Sequence, residues 1–278
     1  MIRLIALDID GTLLDTHGLV PQANREAIAG ASRLGIEVAL VTGRRFDFTR
    51  AVTDQIDGPL TLILNNGAVV KMRDGETRLR WLLPMRTAVD VLAGTREFRS
   101  NAAAIFDRPA EGQIVVERLA PRDPLMTRYI GRNRPFVVEV NALESAVEED
   151  PIQVMYAGPV GDMNRLLDRL RALADGGRFE VAVTEYAERD LALVDVIATG
   201  VSKGSTLAAW AARRGIDRSE VMAIGDNLND LEMLEFAGSP VVMGNAVEAL
   251  LGRGWHRTGG NDESGVASAI RRFVLGGT

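Results

Sequence analysis

The amino-acid sequence predicts an α/β fold in which a doubly wound parallel sheet is interrupted by an inserted α+β domain. Three observations carry that expectation. Short apolar, β-branched runs alternate with helix-period segments from Ile2 to Leu83, and the alternation returns after Ser202. Between them, residues 84–197 follow a different rhythm, with strands gathered in pairs. Carboxylate- and hydroxyl-bearing residues sit directly behind several apolar runs, where parallel sheets place ligand sites. The chain therefore reads as a discontinuous core, residues 1–83 and 198–278, around an insert at 84–197.

In the first core segment, Ile2–Leu7 is a buried strand. Pro21–Leu34 is a helix with proline in its first turn and Gly35 as its stop. Ile36–Val41 and Leu60–Leu64 are further strands flanking a helix at Phe46–Ile56. Asn65-Asn66-Gly67 is a turn, and Asp74-Gly75 joins Val69–Arg73 to Thr77–Leu82 as a hairpin. The insert reads as helix Met85–Phe98, strands Ala102–Phe106 and Gln113–Arg118, helix Pro124–Arg132 and strand Phe136–Val140. Strand Ile152–Ala157, helix Gly161–Ala174 and strands Phe179–Thr184 and Leu191–Ile197 complete it. The acidic stretch Glu144–Asp150 is expected to be a solvated connector. The core resumes with helix Gly204–Arg214, strand Val221–Ile224, helix Asp230–Phe236, strand Pro240–Met243, helix Val247–Leu251 and a last helix, Ser264–Leu275.

Composition narrows the chemistry. Apolar residues make up 46% and charged residues 25%, enough to build a sizeable core. The net charge of −6 and an aromatic content of 5% argue against a nucleic-acid binder. With no cysteine there is no thiolate nucleophile, disulfide or Cys-zinc site, and His17 and His256 are the only histidines. Each histidine reads as a surface or packing residue. Neither a signal-peptide pattern nor an apolar run of membrane-spanning length is present, so the expected location is cytoplasmic, with no membrane partner.

Four motifs carry candidate chemistry. Asp8-Ile9-Asp10-Gly11-Thr12 follows the first strand. Residues two apart on a strand share a face, so Asp8 and Asp10 are expected to point together into the crevice beyond the strand's carboxyl end. Two crowded carboxylates repel unless neutralised, and hard oxygen ligands suit Mg²⁺. A solvated glycine turn is the plainer alternative. Thr42-Gly43-Arg44 ends the second strand and offers a hydroxyl and an accessible backbone N–H, or simply a loop with a solvent-facing arginine. Ser202-Lys203-Gly204-Ser205 opens a helix, which suits an anion, although a lysine there is ordinarily solvated. Gly225-Asp226-Asn227-Leu228-Asn229-Asp230 can complete a cation site, or Asp226 or Asn229 can cap the following helix.

Taken in order, these motifs resemble those of the haloacid dehalogenase-like hydrolase superfamily. Asn66-Gly67-Ala68, Met243-Gly244-Asn245-Ala246 and Glu263-Ser264-Gly265-Val266-Ala267 narrow the resemblance to its Cof-type sugar-phosphatase branch. The likeness spans the whole core and departs at Gly254-Trp255, where relatives usually carry Ala-Asp. It implies a Rossmann-like core with the insert as a cap, and a Mg²⁺-dependent phosphatase of small phosphorylated metabolites, sugar phosphates above all. It further implies Asp8 as nucleophile, Asp10 as general acid and base, and Thr42 and Lys203 as catalytic partners. Mg²⁺ would be held by Asp8, Asp226 and the Asp10 backbone carbonyl. The Ile9 backbone, Thr42, Gly43, Lys203 and Asn229 would hold phosphoryl oxygens, with Asn66 and Asp230 as additional site residues. In the insert, Arg86, Arg118, Arg122 and Arg128 are each read first as solvated cations. Two rival readings stand beside this one: a phosphomutase of the same fold, and a non-catalytic phosphometabolite-binding regulator. Retention of both Asp8 and Asp10 weighs against the regulator, since binding alone needs no acid–base group.

Overall fold

Every side chain of Leu4–Leu7 (β1) is buried, as expected of a strand covered on both faces. The computed structural model describes residues 1–119, 123–174, 177–186 and 189–276. Beside β1 lie β2 (Glu37–Val41), β3 (Thr61–Leu64), β4 (Val69–Met72) and β5 (Thr77–Arg80). From the far end of the chain come β12 (Val221–Gly225), β13 (Ser239–Val242) and β14 (His256–Arg257). Among the described residues they form one sheet in the order β14-β13-β12-β1-β2-β3-β4-β5. The pairs from β14 to β3 are parallel, and β3-β4-β5 is an antiparallel meander.

Four helices of this unit form two packed pairs, α1 (Gln22–Arg33) with α9 (Gly265–Ile270) and α6 (Lys203–Arg213) with α7 (Leu231–Phe236); α2 (Phe46–Thr53) and the short α8 (Glu248–Leu251) are its other described α-helices. The fold is thus a doubly wound parallel core carrying an inserted domain. Asn24, buried on α1, accepts from the Ala267 N–H with Oδ1 at 2.9 Å and donates through Nδ2 to Leu13 O at 3.3 Å. One amide therefore ties α1, α9 and the loop after β1 together.

The structure divides into Met1–Arg80 with Ser202–Thr278, and Trp81–Val201. The sequence had suggested seams after residues 83 and 197. Leu83 goes with the insert because its side chain is buried in that unit's core and its N–H donates to Pro151 O at 2.8 Å. The insert holds α3 (Met85–Gly94), β6 (Ala102–Ile105), β7 (Ile114–Glu117), α4 (Pro124–Arg132) and β8 (Val137–Val140). It continues through β9 (Gln153–Gly158), α5 (Val160–Leu173), β10 (Glu180–Tyr186) and β11 (Leu191–Ile197), with strand order β10-β11-β9-β6-β7-β8. Only β7-β8 is parallel among these described pairs, giving the α+β character expected.

Several local expectations are corrected. The helix from Met85 stops at Gly94 and Arg96–Asn101 is a 3₁₀ segment; at the junction the Thr95 N–H and hydroxyl both donate to Val91 O. Glu144, expected in a solvated connector, lies in a 3₁₀ turn and pairs with Arg99, which also binds Glu117 at 3.0 Å. The expected last helix begins at Gly265, after a left-handed Ser264 (φ 56°), and becomes a π turn at Arg271–Leu275. His256 lies in the short β14, directly after Gly254-Trp255, and packs edge-on against Phe273 at 5.0 Å. Arg86, Arg118 and Arg128 are exposed, and Arg122 lies outside the described residues. No described helix is long and apolar enough to cross a membrane.

Tyr156 on β9 is fully buried in the insert, and burial holds its phenol pKa above the ordinary value. Its hydroxyl lies 2.6 Å from Thr95 Oγ1, which already donates to Val91 O and so accepts from the tyrosine. Tyr156→Phe keeps the packing and removes that hydrogen bond. The expected loss of stability is about 1 kcal/mol, measured by urea denaturation; an unchanged midpoint would show that the bond contributes nothing net.

Candidate active site

β1 ends at Leu7, and the Asp8 N–H still donates to Ile224 O at 3.0 Å, carrying the β1–β12 pairing one residue further. Beyond it, Ile9–Leu13 winds into a π-type turn interrupted at Asp10 (φ −85°, ψ 115°) and Gly11 (φ +84°). The shared-face argument for Asp8 and Asp10 therefore does not hold, because the chain has left the strand before Asp10. The two carboxylates have different surroundings. Asp8 is buried; the Asp10 side chain is about a third exposed.

Lys203 is the first residue of α6, and its side chain is buried. Ser202 caps that helix: its Oγ accepts from the Ser205 N–H at 3.0 Å while Ser205 Oγ accepts from the Ser202 N–H at 2.9 Å. With the helix start fixed, Lys203 Nζ reaches Asp8 Oδ1 and Asp230 Oδ1, each at 2.6 Å. Burial alone would lower the lysine pKa. The Asp230 and Asp8 carboxylates outweigh it and hold the ammonium above its ordinary value.

Asp230 also organises the loop after β12. Its Oδ2 accepts from the N–H groups of Asp226 and Asn227, both at 3.0 Å. Asn227 Oδ1 accepts from the Leu228 N–H, so the cap of this turn is Asn227 with Asp230, not Asp226 or Asn229. Asp226 is left for the site. Its Oδ1 accepts from Thr12 Oγ1 at 2.7 Å, and its Oδ2 lies where a Cβ on Gly11 would be only 2.4 Å away. A side chain at position 11 would thus expel Asp226 as well as strain a left-handed backbone.

Asp8, Asp226 and Asp230 each present an oxygen within 4.8 Å of the others, all buried. Asp8 and Asp226 bring their carboxylates together as expected of metal-site residues, whereas the Asp10 carboxylate is outside this cluster and its expected ligand is the backbone carbonyl. Burial first, and then the Asp230 carboxylate, push Asp226 up to about 7; the same causes raise Asp8 well above the ordinary range. Three carboxylates against one ammonium form a hard-oxygen set with excess negative charge, which fits a divalent cation such as Mg²⁺.

Asp10 has another partner. Arg44 Nε and Nη2 donate to its two oxygens at 2.8 and 2.6 Å, and the guanidinium lies over the Phe48 ring at 5.4 Å. Thr42 is buried at the end of β2, with Oγ1 accepting from the Arg44 N–H at 3.1 Å. A Cβ on Gly43 would approach Asn66 Oδ1 to 3.1 Å, so this glycine makes room for an amide. Asn66, left-handed at φ 54°, accepts on that oxygen from Asn229 Nδ2 at 3.2 Å. Ile9 has a buried side chain and a carbonyl taken by the Leu14 N–H.

The sequence reading gave no role to Thr12, Arg44 or Asn245, although all three stand in quoted motifs. Asn245 Nδ2 donates to Gly11 O at 2.8 Å, bracing the turn from the opposite side to Thr12. Nothing local announces these bonds. Each joins segments far apart in the chain.

Comparison with known proteins identifies the family. A family model described as haloacid dehalogenase-like hydrolase matches residues 5–270. The chain is 28% identical to the 5-amino-6-(5-phospho-D-ribitylamino)uracil phosphatase YwtE of Bacillus subtilis, over 99% of both chains. It is 27% identical to the pyridoxal phosphate phosphatase YbhA of Escherichia coli, covering 98% of this chain and 99% of that one. A solved haloacid dehalogenase-like hydrolase from Bacteroides thetaiotaomicron is similar at a TM-score of 0.79 and 26% identity, over 98% of this chain and 99% of the other.

The raised Asp226 pKa makes stability depend on pH. An unfolded chain releases this proton near 3.8, the folded one near 7, so between those values the folded state binds more protons and loses stability as pH rises. Asp226→Asn cannot ionise and keeps an oxygen for Thr12. In chelator, the variant is expected to lose less stability than wild type between about pH 4 and 7, read from urea midpoints. Parallel pH profiles would remove Asp226 from the explanation.

Proposed function

This chain belongs to the haloacid dehalogenase-like hydrolase family, and we propose that it is a Mg²⁺-dependent phosphatase of sugar phosphates working through a phosphorylated Asp8. That it is a phosphoric monoester hydrolase acting on small phosphorylated metabolites follows from its family and phosphatase relatives. The observation that carries the finer reading is the buried Asp8 carboxylate, held by Lys203 within the Asp8–Asp226–Asp230 cluster. A nucleophile needs a fixed position and a free oxygen. Asp8 Oδ1 is bound by Lys203, leaving Oδ2 to attack.

In the first step an Asp8 oxygen bonds to phosphorus as the P–O bond to the alcohol breaks, and Asp10 protonates the departing alkoxide. In the second, Asp10 takes a proton from water as that water attacks phosphorus, releasing phosphate and Asp8. Asp10 exchanges one of its bonds to Arg44 for each incoming partner. The Ile9 and Gly43 N–H groups, Thr42, Lys203 and Asn229 hold the phosphoryl oxygens, and Asn66 positions Asn229. Asp8, Asp226 and the Asp10 carbonyl would hold Mg²⁺, which supplies charge neutralisation for the phosphoryl group. Asp230 fixes both Lys203 and the Asp226 loop. The inserted unit is assigned the selection of substrate, and a cytoplasmic location completes the reading.

Two outcomes test it. Asp8→Asn preserves shape but removes the nucleophile, so phosphate release from a sugar-phosphate panel is expected to fall to background in a folded variant. Substantial turnover by that variant would falsify the assignment. Wild-type phosphatase activity is expected to vanish in excess chelator and return with Mg²⁺, with Ca²⁺ a poor replacement because its longer, looser coordination misplaces the oxygens. Full activity in chelator would refute the metal requirement.

A further inference from the structure

At the opposite ends of β2 and β3 from Thr42 and Asn66 lies a cavity of about 480 Å³. That volume is within the range of small-molecule sites. Glu37 opens β2, and the rise of the strand puts it about 16 Å from Thr42. The C-terminal turn of α6 closes the cavity, so β2, β3 and α6 each run from it to the phosphate-handling residues.

Its walls combine apolar surface with excess positive charge. Ile36, Pro59 and Met72 provide the accessible apolar part, with Leu60 and the Trp210 indole buried behind them; Arg78, Arg213 and Arg214 provide guanidinium groups. The single carboxylate lining it, Glu37, is already occupied. Its Oε1 accepts from Trp210 Nε1 at 2.6 Å and Thr61 Oγ1 at 2.7 Å, and its Oε2 from Arg214 Nε at 2.8 Å. This network consumes one arginine and fixes the indole. Arg78 pairs only with Glu76, through a bond in which both side chains are about half exposed, and Arg213 has no hydrogen bond or ion pair among the described residues. Such exposed pairs contribute little and exchange readily. The cavity thus offers two available guanidiniums beside an apolar wall backed by a fixed indole.

We propose that this cavity binds a small phosphate monoester with a planar apolar body, at a site separate from the catalytic centre. Two available cations match a dianion, and guanidinium forks match phosphate oxygens. The apolar walls match a ring better than a bare ion or a polyol. The proposal requires no turnover and is independent of the catalytic reading.

The test uses phenylphosphonate, a non-hydrolysable arylphosphate mimic, at alkaline pH. Trp81→Phe and Trp255→Phe leave Trp210 as the sole tryptophan, so its fluorescence reports this cavity. Saturable fluorescence change is expected, and Arg78→Ala with Arg213→Ala is expected to weaken binding at least tenfold while turnover without probe is unchanged. Both arginines are exposed, so folding is not at stake, and circular dichroism checks it. Absence of a Trp210 response, or equal affinity in the double variant, would overturn the proposal. Benzoate binding equally well would overturn the dianion, and inorganic phosphate binding equally well would overturn the apolar body.

Discussion

The ammonium of Lys203, closed in between Asp8 and Asp230, is the interaction on which the rest of the site depends. It joins the first strand of the chain to a helix that begins after the insert, and it is the cation nearest three buried carboxylates. Removing the lysine would leave buried carboxylates without their counter-charge, the kind of loss that costs about 3–5 kcal/mol. The caps around it are consistent with that demand. Ser202 and Ser205 fix the lysine's helix start, and Asp230 uses its second oxygen to shape the Asp226 loop. Position and charge are set together.

The same economy governs the turn after β1. Gly11 yields space to Asp226, Thr12 orients that carboxylate, and Asn245 holds the Gly11 carbonyl. Asp10 leaves the cluster and takes Arg44. Two aspartates separated by one residue acquire different surroundings because the backbone turns between them. This supports assigning nucleophilic attack to one and proton transfer to the other.

Much of this was legible from the sequence because it is local. Apolar runs ending in Asp8, Thr42 and Asp226 marked strand ends, and Asp74-Gly75 marked its hairpin. What escaped was set by distant partners. The Arg44–Asp10 fork, the Arg99–Glu144 pair and the Tyr156–Thr95 bond join residues whose neighbourhoods look ordinary in one dimension. β14 gave no signal of its own because two residues carry no periodicity. The cap at Asn227 was missed because four polar residues within five positions, Asp226 to Asp230, leave the choice to backbone geometry.

Leu4 lies beside Val221 in the sheet, with the entire insert between them in sequence. During synthesis the first strand therefore emerges from the ribosome long before the neighbour that completes it. Until residue 225 is available, β1 presents an open, apolar edge, the surface most prone to pair with another nascent chain. The continuous segment Trp81–Val201, by contrast, has all its sheet partners within itself. Maturation of that unit is thus tied to translation of the segment that begins at Ser202, and yield in a cell should be governed by how well that early edge is shielded while the chain grows.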